Sequence, residues 1–462
     1  MGFDQASAQE RTSTTDRAES ADSDRLTSSL PRSVDVVVIG AGIVGVSTAL
    51  FLAQRGLSVL VCEKGRIAGE QSSRNWGWCR KMGRDPIEIP LAKASARLWE
   101  GMNAAVEGET GFRKTGIVYL CRNEQEIAKY EAWLEHARRH GIDSRLISSK
   151  EITTRLPGLS GRWPGALFTP SDGRAEPSLA TVVMAKAARR LGARIVEHCA
   201  VRGLETAGGR VSAVVTEQGS VQARTVVLAG GAWSRLFCGN LGIAFPQLKV
   251  LGSVARTQPL AGAPTHAVAG SDFAFRQRLD GGYTIAQKNA NIAQIVPDSF
   301  RLFFRFLPAF RSEGNEIRLR FSRSFLDELK VPKRWRLDDV SPFERERVLH
   351  PKPSSKILAE GLRNLIRSFP VFRDATIVEQ WGCAIDVTPD AIPVISAVER
   401  LSGFFVASGF SGHGFGVGPA AGHLMADLVT GEAPIVDPHP YALSRLDPQL
   451  SVTLSTSETA RP

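Results

Sequence analysis

The segment 34–63, VDVVVIGAGIVGVSTALFLAQRGLSVLVCE, constrains the fold more than any other. It reads as a strand, a glycine turn, a helix and a second strand closed by an acid. The apolar run 34–39 is short and β-branched, as a parallel strand buried on both faces should be. Gly40, Gly42 and Gly45 then complete a GxGxxG spacing. In such a turn the first glycine permits the bend, the second lets backbone approach a pyrophosphate, and the third lets helix pack against strand. The helix expected over 43–54 aims its free N–H groups and positive dipole end at the phosphates. Glu63 closes the strand 58–62, where a carboxylate accepts hydrogen bonds from ribose hydroxyls and repels a 2′-phosphate. Dinucleotide binding is therefore expected, with NADP disfavoured.

At 462 residues the chain exceeds what one core usually supports, so two domains sharing an interface are expected. Lys and Arg number 57 against 47 Asp and Glu, and the net charge of +10 favours anionic substrates or anionic membrane surfaces. No helix-turn-helix, zinc-finger or base-stacking pattern is found, so nucleic acid is not an expected partner. The cysteines, Cys62, Cys79, Cys121, Cys199, Cys238 and Cys383, form no CxxC pair and no His-spaced ligand set. Neither a disulfide framework nor a metal site is expected, and a reducing, cytoplasmic setting fits. Residues 1–33 are polar and charged and read as a disordered tail; 433–462 read as a C-terminal tail, loose after Pro448. No apolar stretch reaches the length needed to span a bilayer.

Three separated stretches, 34–82, 175–244 and 381–432, look like parts of one nucleotide-binding domain. The second carries a helix near 177–191 and then short strands at 194–197, 200–206, 210–217 and 225–229, joined by glycine turns in the manner of a β-meander. The third carries a strand at 403–407, a glycine-rich loop at 408–418 and a helix at 419–429. The inserts 83–174 and 245–380 supply the other domain, with strands expected at 114–121, 248–257, 273–279 and 283–287 and a helix at 124–140. A chain that leaves and re-enters the nucleotide domain twice builds a substrate domain over the cofactor, and function is expected at that interface.

Together GAGIVGVSTALFLAQRG, GEQSSRNWGW (69–78), VVLAGGAWS (226–234), TPDAIPVIS (388–396) and SGFSGHGFGVGPAAG (408–422) resemble the D-amino-acid-oxidase-like superfamily of FAD-dependent oxidoreductases. That superfamily includes glycine and sarcosine oxidases, D-amino-acid dehydrogenases and amino-acid deaminases. The resemblance implies an α/β fold: a discontinuous Rossmann-like FAD-binding domain with a β-meander, plus an α+β substrate domain on a mainly antiparallel sheet. It implies FAD contacts from Glu63, Lys64, Ser72, Ser73, Arg74 and Asn75, with the two hydroxyls and the guanidinium on the pyrophosphate. Val201 is expected beside the adenine, and Gly230 where the chain passes the dinucleotide closely. Trp76, Trp78 and Trp233 are read either as packing or as cofactor- and substrate-facing residues. Gly412, His413, Gly414, Phe415 and Gly416 lead to a helix starting near Gly418 and Pro419, whose N-terminus faces the flavin edge where charge gathers on reduction. His413 is either a second positive group there or an exposed loop histidine.

Two departures from the family pattern stand out. Where many amino-acid-oxidising relatives carry a carboxylate-binding arginine, this chain has Ile385 followed by Asp386. Arg276 and Arg278 are the alternative clamps, or else the exposed face of a strand, and Asp386 either orients a substrate ammonium or ends a strand. Cys383 lies at a spacing that carries covalent flavin in monomeric sarcosine oxidases; the competing reading is a buried structural thiol with FAD bound non-covalently. The expected reaction is oxidation of an amino acid or related amine by hydride transfer to flavin N5, the imine hydrolysing to a 2-oxo acid and ammonia. A secondary-amine substrate and a non-catalytic FAD-binding assembly factor are the alternatives. Oxygen or a quinone or carrier takes the electrons. The segment 298–310, with Phe300, Phe303, Phe304 and Leu307 on one helical face beside Arg301 and Arg305, reads either as packing or as a peripheral membrane contact.

Overall fold

Alternation along the first strands sets the architecture. Val36, Val38, Val59 and Val61 point to one side of a sheet and join a helical core, while Val37, Leu60 and Cys62 point to the other. Both faces are therefore covered, as a parallel sheet requires. The computed structural model describes residues 30–446 apart from 314–316; of the tail expected over 1–33, residues 1–29 lie outside the described residues, as does the loose end after Pro448, while 30–33 run beside Gln222, whose N–H donates to Arg32 O.

The sheet holds six strands in the order Val394–Ala397, Phe404–Ser408, Thr225–Leu228, Val36–Ile39, Val59–Cys62 and Arg194–Val196. All neighbours run parallel except the first pair. On one face lie the helices Ile43–Gln54, Ile89–Ala105, Pro177–Arg190 and Gly414–Thr430. The other face is covered by the antiparallel meander Val201–Ala207, Arg210–Thr216 and Gly219–Gln222, whose Leu204, Val211, Val214 and Val221 close the second core. Helices Ile43–Gln54 and Gly414–Thr430 touch at backbone distance: a Cβ on Gly422 would lie 2.3 Å from Ser47 Cβ and 2.6 Å from its carbonyl carbon.

The second sheet has ten strands centred on Leu248–Thr257, which pairs with Tyr283–Ala286, Asn291–Gln294 and, over its whole length, Ile377–Val387. Its neighbours are mostly antiparallel, and its far edge is built from Ile117–Cys121, Gly165–Thr169 and Arg145–Ser148. Helix Ser355–Ser368 packs on it through Leu358 and Leu365, in a core shared with Phe273, Phe275, Phe369 and Phe372. Residues 381–387 thus belong to this large sheet, and the chain rejoins the nucleotide sheet only at Val394.

Three expectations need correction. The last helix begins at Gly414, so Pro419 falls inside it. Proline there removes the N–H that would reach Phe415 O, and the next carbonyl, Gly416 O, is held from outside the helix by Ser95 Oγ and Trp99 Nε1, which donate to it at 2.8 and 3.0 Å. Residues 433–446, expected as the start of a C-terminal tail, pack against the body of the protein. Tyr441 is buried and donates to Ile87 O, while Arg445 binds Asp390. Third, the segment 298–310 forms two helices, Pro297–Arg301 and Phe303–Glu313, and its aromatic face does not pack inward. Phe300, Phe303 and Phe304 are 65%, 51% and 84% exposed. Among the described residues no helix is long and apolar enough to cross a membrane.

Candidate functional site

The glycine turn closes as the spacing requires. Gly40 has φ +102°, and a Cβ there would lie 2.6 Å from Ala229 O; a Cβ on Gly45 would lie 2.0 Å from Gly40 O. Only hydrogen fits at either position, so helix and strand meet at backbone contact. The helix N-cap, Gly42, brings no side chain, and Ser72 Oγ accepts from Ile43 N at 2.8 Å instead. Glu63 accepts Ala41 N–H at 2.8 Å on one oxygen and Gly65 N–H at 2.7 Å on the other, which fixes the carboxylate and leaves lone pairs on both oxygens. Burial pushes its pKa up against those two bonds.

One cavity of about 1000 Å³ is lined by Gly40, Gly42, Glu63, Lys64, Ser72, Arg74, Asn75, Val201, Gly230, Trp233 and the loop Gly412 to Gly416. The same cavity continues to a wall containing Trp76, Trp78, Tyr119, Tyr130 and Trp133, with Arg80, Arg84 and Glu88 among them. The dinucleotide cradle and an aromatic, charged chamber are therefore one space. At their junction helix Gly414–Thr430 starts with His413 as N-cap and no side-chain cap, so its first N–H groups remain available to an electron-rich group.

Several expected contacts are deployed otherwise. Ser73 does not line the cavity; its hydroxyl faces Glu70 O at 3.3 Å. Arg74 does not offer its guanidinium to phosphates: the terminal nitrogens meet Leu349 O, Gly69 O and His350 Nδ1, strapping 349–350 across the cradle. Lys64 acts similarly, binding Glu70, Arg347 O and Glu346 O while standing 4.3 Å over the Trp233 ring. Asn75 caps the short helix Gln71–Arg74 through Gln71 O and Ser72 O and accepts Gly77 N–H. Trp233 Nε1 donates to Glu70. The straps from 346–350 were invisible in sequence, because they depend on carbonyls rather than on residue type.

The expected substrate-binding groups also move. Arg276 is 1% exposed and does not line the cavity. It forms a two-point pair with Glu176 at 2.7 and 3.0 Å and donates from Nε to Trp76 O, so it cannot clamp a substrate. Arg278 faces the same Glu176, together with Asp280 and Thr284. Asp386 lines the cavity but accepts Gly409 N–H at 2.8 Å and Gln247 Nε2 at 2.9 Å. It holds the start of the glycine loop rather than an ammonium, and burial raises its pKa. His413 Nδ1 is 2.9 Å from Glu88 Oε2. Burial and the Arg84 charge push this imidazole below the usual histidine value, against the Glu88 carboxylate, which pulls it up. Burial would raise the Glu88 pKa, but His413, Arg84 and Arg80 outweigh it and hold it at about 2.

The family model described as DAO, FAD dependent oxidoreductase, matches residues 35–428. The chain belongs to this family. Among solved structures, L-amino acid deaminase from Proteus myxofaciens, in complex with anthranilate, is 37% identical with a TM-score of 0.88, covering 90% of this chain and 94% of that one. L-amino acid deaminase from Proteus vulgaris is 35% identical with a TM-score of 0.87, covering 90% and 98%. Mitochondrial sarcosine dehydrogenase from Homo sapiens is 24% identical over 91% of this chain, which spans only 42% of that protein's length. In this DAO-family chain FAD is the implied cofactor, and the cradle fits it: hydrogen-only approaches at Gly40 and Gly45, a fixed acid at the strand end, and an uncapped helix start at the far side.

The buried pair makes a stability prediction. Arg276→Met leaves Glu176 buried with its main partner gone and should cost about 3–5 kcal/mol. Arg276→Met/Glu176→Met should recover more than half of that loss in denaturant melts, whereas a double variant as unstable as the single would assign Arg276 a different role.

Proposed function

We propose that this protein oxidises an α-amino acid or a related amine, with FAD bound non-covalently. The observation that carries the reading is the single cavity joining the dinucleotide cradle to the aromatic, arginine-bearing chamber. The two relatives at 37% and 35% identity are L-amino acid deaminases, which supports an amino acid over a simple amine. Bound FAD supplies the hydride acceptor, flavin N5, for the C–H bond beside the amine. The chain's own contribution is placement. Trp76, Trp78, Tyr119, Tyr130 and Trp133 shape an apolar chamber that orients the substrate and limits water around the C–H bond. Asp386 and Gln247 fix the loop leading to the helix Gly414–Thr430, whose N-terminus favours electron density on the neighbouring edge. The imine product then hydrolyses to a 2-oxo acid and ammonia. Anaerobic mixing with a panel of L- and D-amino acids, N-methyl amino acids and simple amines should bleach the flavin with a primary amino acid. Bleaching by N-methyl substrates alone would establish the secondary-amine alternative, and bleaching by none would point to a non-catalytic flavoprotein.

Non-covalent attachment is supported by the state of Cys383. The thiol is 4% exposed, and burial, opposed only in part by Arg74, raises its pKa to about 12. Flavin attack needs thiolate, which such a thiol does not supply at neutral pH. Acid precipitation should release all yellow colour into the supernatant; fluorescence retained on the denatured polypeptide would show the covalent link.

For electron disposal we propose a membrane quinone. Helix Phe303–Glu313 turns Phe306 and Ala309 to the cavity and Phe303, Phe304 and Phe310 outward. Phe321, Leu326 and Leu329 extend the exposed apolar face, with Arg301, Arg320 and Arg323 also exposed nearby. Exposed aromatics with arginines close by in sequence suit an anionic bilayer surface. The protein should cosediment with vesicles containing anionic phospholipid, and Phe303→Ser/Phe304→Ser should reduce binding at least about tenfold, by the scale of two buried aromatic side chains. Failure to sediment, with peroxide formed in step with product, would assign oxygen as acceptor.

A further inference from the structure

Between helices Ser324–Lys330 and Ser355–Ser368 the chain leaves the large sheet and crosses the nucleotide domain. The crossing, residues 334–350, contains one regular element, the four-residue helix Pro342–Arg345. It is fastened to three parts of the cradle. Beside the meander, Trp335 Nε1 donates to Arg202 O at 2.8 Å, Leu337 lies against Gly203, and Arg202 makes a two-point pair with Glu344 at 3.0 and 2.8 Å. Just past Glu63, Lys64 Nζ donates to Glu346 O and Arg347 O, while Arg347 Nη1 donates to Lys64 O and to Glu217 at 2.8 and 2.7 Å. Leu349 N–H donates to Glu70 at 3.0 Å, and Arg74 donates to Leu349 O. The cavity-lining Glu63, Lys64 and Val201 are thus gripped themselves or are sequence neighbours of gripped residues.

Phe343 anchors the middle of the crossing. It is buried, lines the cavity, and its ring meets those of Trp233, Phe237 and Trp335 at 5.8, 6.0 and 5.3 Å. Among the described residues no strand ladder joins the crossing to the cradle. Side-chain bonds, ion pairs and one seated ring can open and reclose without unzipping a sheet, which puts this segment at the low end of local stability. Its flanks stay with the large sheet: Lys333 is 3.6 Å from Glu328, and Ser354 N–H donates to Ser253 Oγ at 2.9 Å. Burial opposes the Glu217 and Glu344 charges, but Arg347 and Arg202 outweigh it and hold both carboxyls below their ordinary value. The pairs are therefore made at neutral pH. Each keeps some solvent contact, so salt weakens both.

We propose that residues 334–350 are a gate for the dinucleotide: FAD enters and leaves only when this crossing lifts off the cradle, and the pairs Arg347–Glu217 and Arg202–Glu344 are its latch. This rests on the non-covalent attachment inferred above and holds whichever amine is oxidised. The test reads FAD rather than turnover. Holoenzyme is diluted, and release is followed by the fluorescence FAD gains on leaving the protein. Arg347→Met and Arg202→Met should each speed release about tenfold, the scale of a lost charge-assisted two-point pair. Sodium chloride at about 1 M should speed release from wild type and have little effect on Arg347→Met/Arg202→Met. Arg318→Met, which breaks the exposed pair with Glu360 on the large-sheet side, should leave release within about twofold of wild type. Gly203→Cys/Leu337→Cys closes the gate covalently: within 4 Å a Cβ on Gly203 meets only Leu337 Cδ2, at 2.5 Å, so two thiols there lie within bridging reach. Oxidised with glutathione disulfide, this variant should hold FAD at least about tenfold longer than its reduced form. Should thiol counting show no bridge, the arginine variants decide. A variant isolated without flavin is scored by its uptake of added FAD, which an unlatched gate speeds and a locked one blocks. Equal release from bridged and reduced protein, or wild-type release from Arg347→Met/Arg202→Met, would overturn the gate. Unfolding in guanidinium separates the two readings. Flavin retained by the unfolded chain overturns non-covalent attachment and the gate with it, whereas flavin freed by unfolding but released at one rate from every folded form overturns the gate alone.

Discussion

Backbone contact around one helix is the constraint on which the rest of the molecule depends. Helix Ile43–Gln54 is pressed against its strand at Gly45 and against helix Gly414–Thr430 at Gly422, with no room for a Cβ at either place. The first contact aims its N-terminus across the top of the sheet. The second brings a helix that starts 371 residues later in the chain alongside it, so that a second N-terminus opens onto the same cavity. Two helix starts on one cavity give a long, polar ligand two places where negative charge is favoured. The large sheet closes that space from the other side through Val250, Gly252, Val254, Cys383 and Ile385.

Buried charge is the second organising theme. Dehydrating an arginine or a carboxylate is costly unless a partner meets it, and most of the buried charges near the cavity are met internally. Arg276 is locked to Glu176, Arg74 to backbone carbonyls, Asp386 to Gly409 and Gln247, and Asp172 to Lys81. These pairs sew the nucleotide sheet to the large sheet and to the straps around residues 346–350. They also remove the most obvious arginines from the chemistry. What remains on the chamber wall is a smaller group centred on Arg84, Glu88 and His413, where hydrogen bonding is incomplete.

The nucleotide domain was legible because its signal is local. Strand, turn, helix, strand and acid follow one another within thirty residues, and each is specified by period, glycine position or β-branching. The meander was read from alternation and glycine turns in the same way. Arg276 was misread because its strand pattern shows that it can face inward but not that Glu176, one hundred residues earlier, is waiting there. The start of the last helix was misplaced because Pro419 was read as a first-turn residue, whereas the helix opens at Gly414 and carries the proline inside it. The spacing of Phe300, Phe303 and Phe304 showed that they share a helical face but not whether that face is covered, and among the described residues they stay exposed.

The sequence by itself determined the nucleotide-binding unit, the family and the cofactor class, since these rest on short-range backbone requirements that only a few residue types satisfy. The tertiary structure decided which polar groups remain for a substrate. That choice is long-range: most buried charges near the cavity take partners the fold brings within about 3 Å, and only the completed set of pairs reveals which polar atoms, Arg84 Nη1 and Glu88 Oε1 among them, have none.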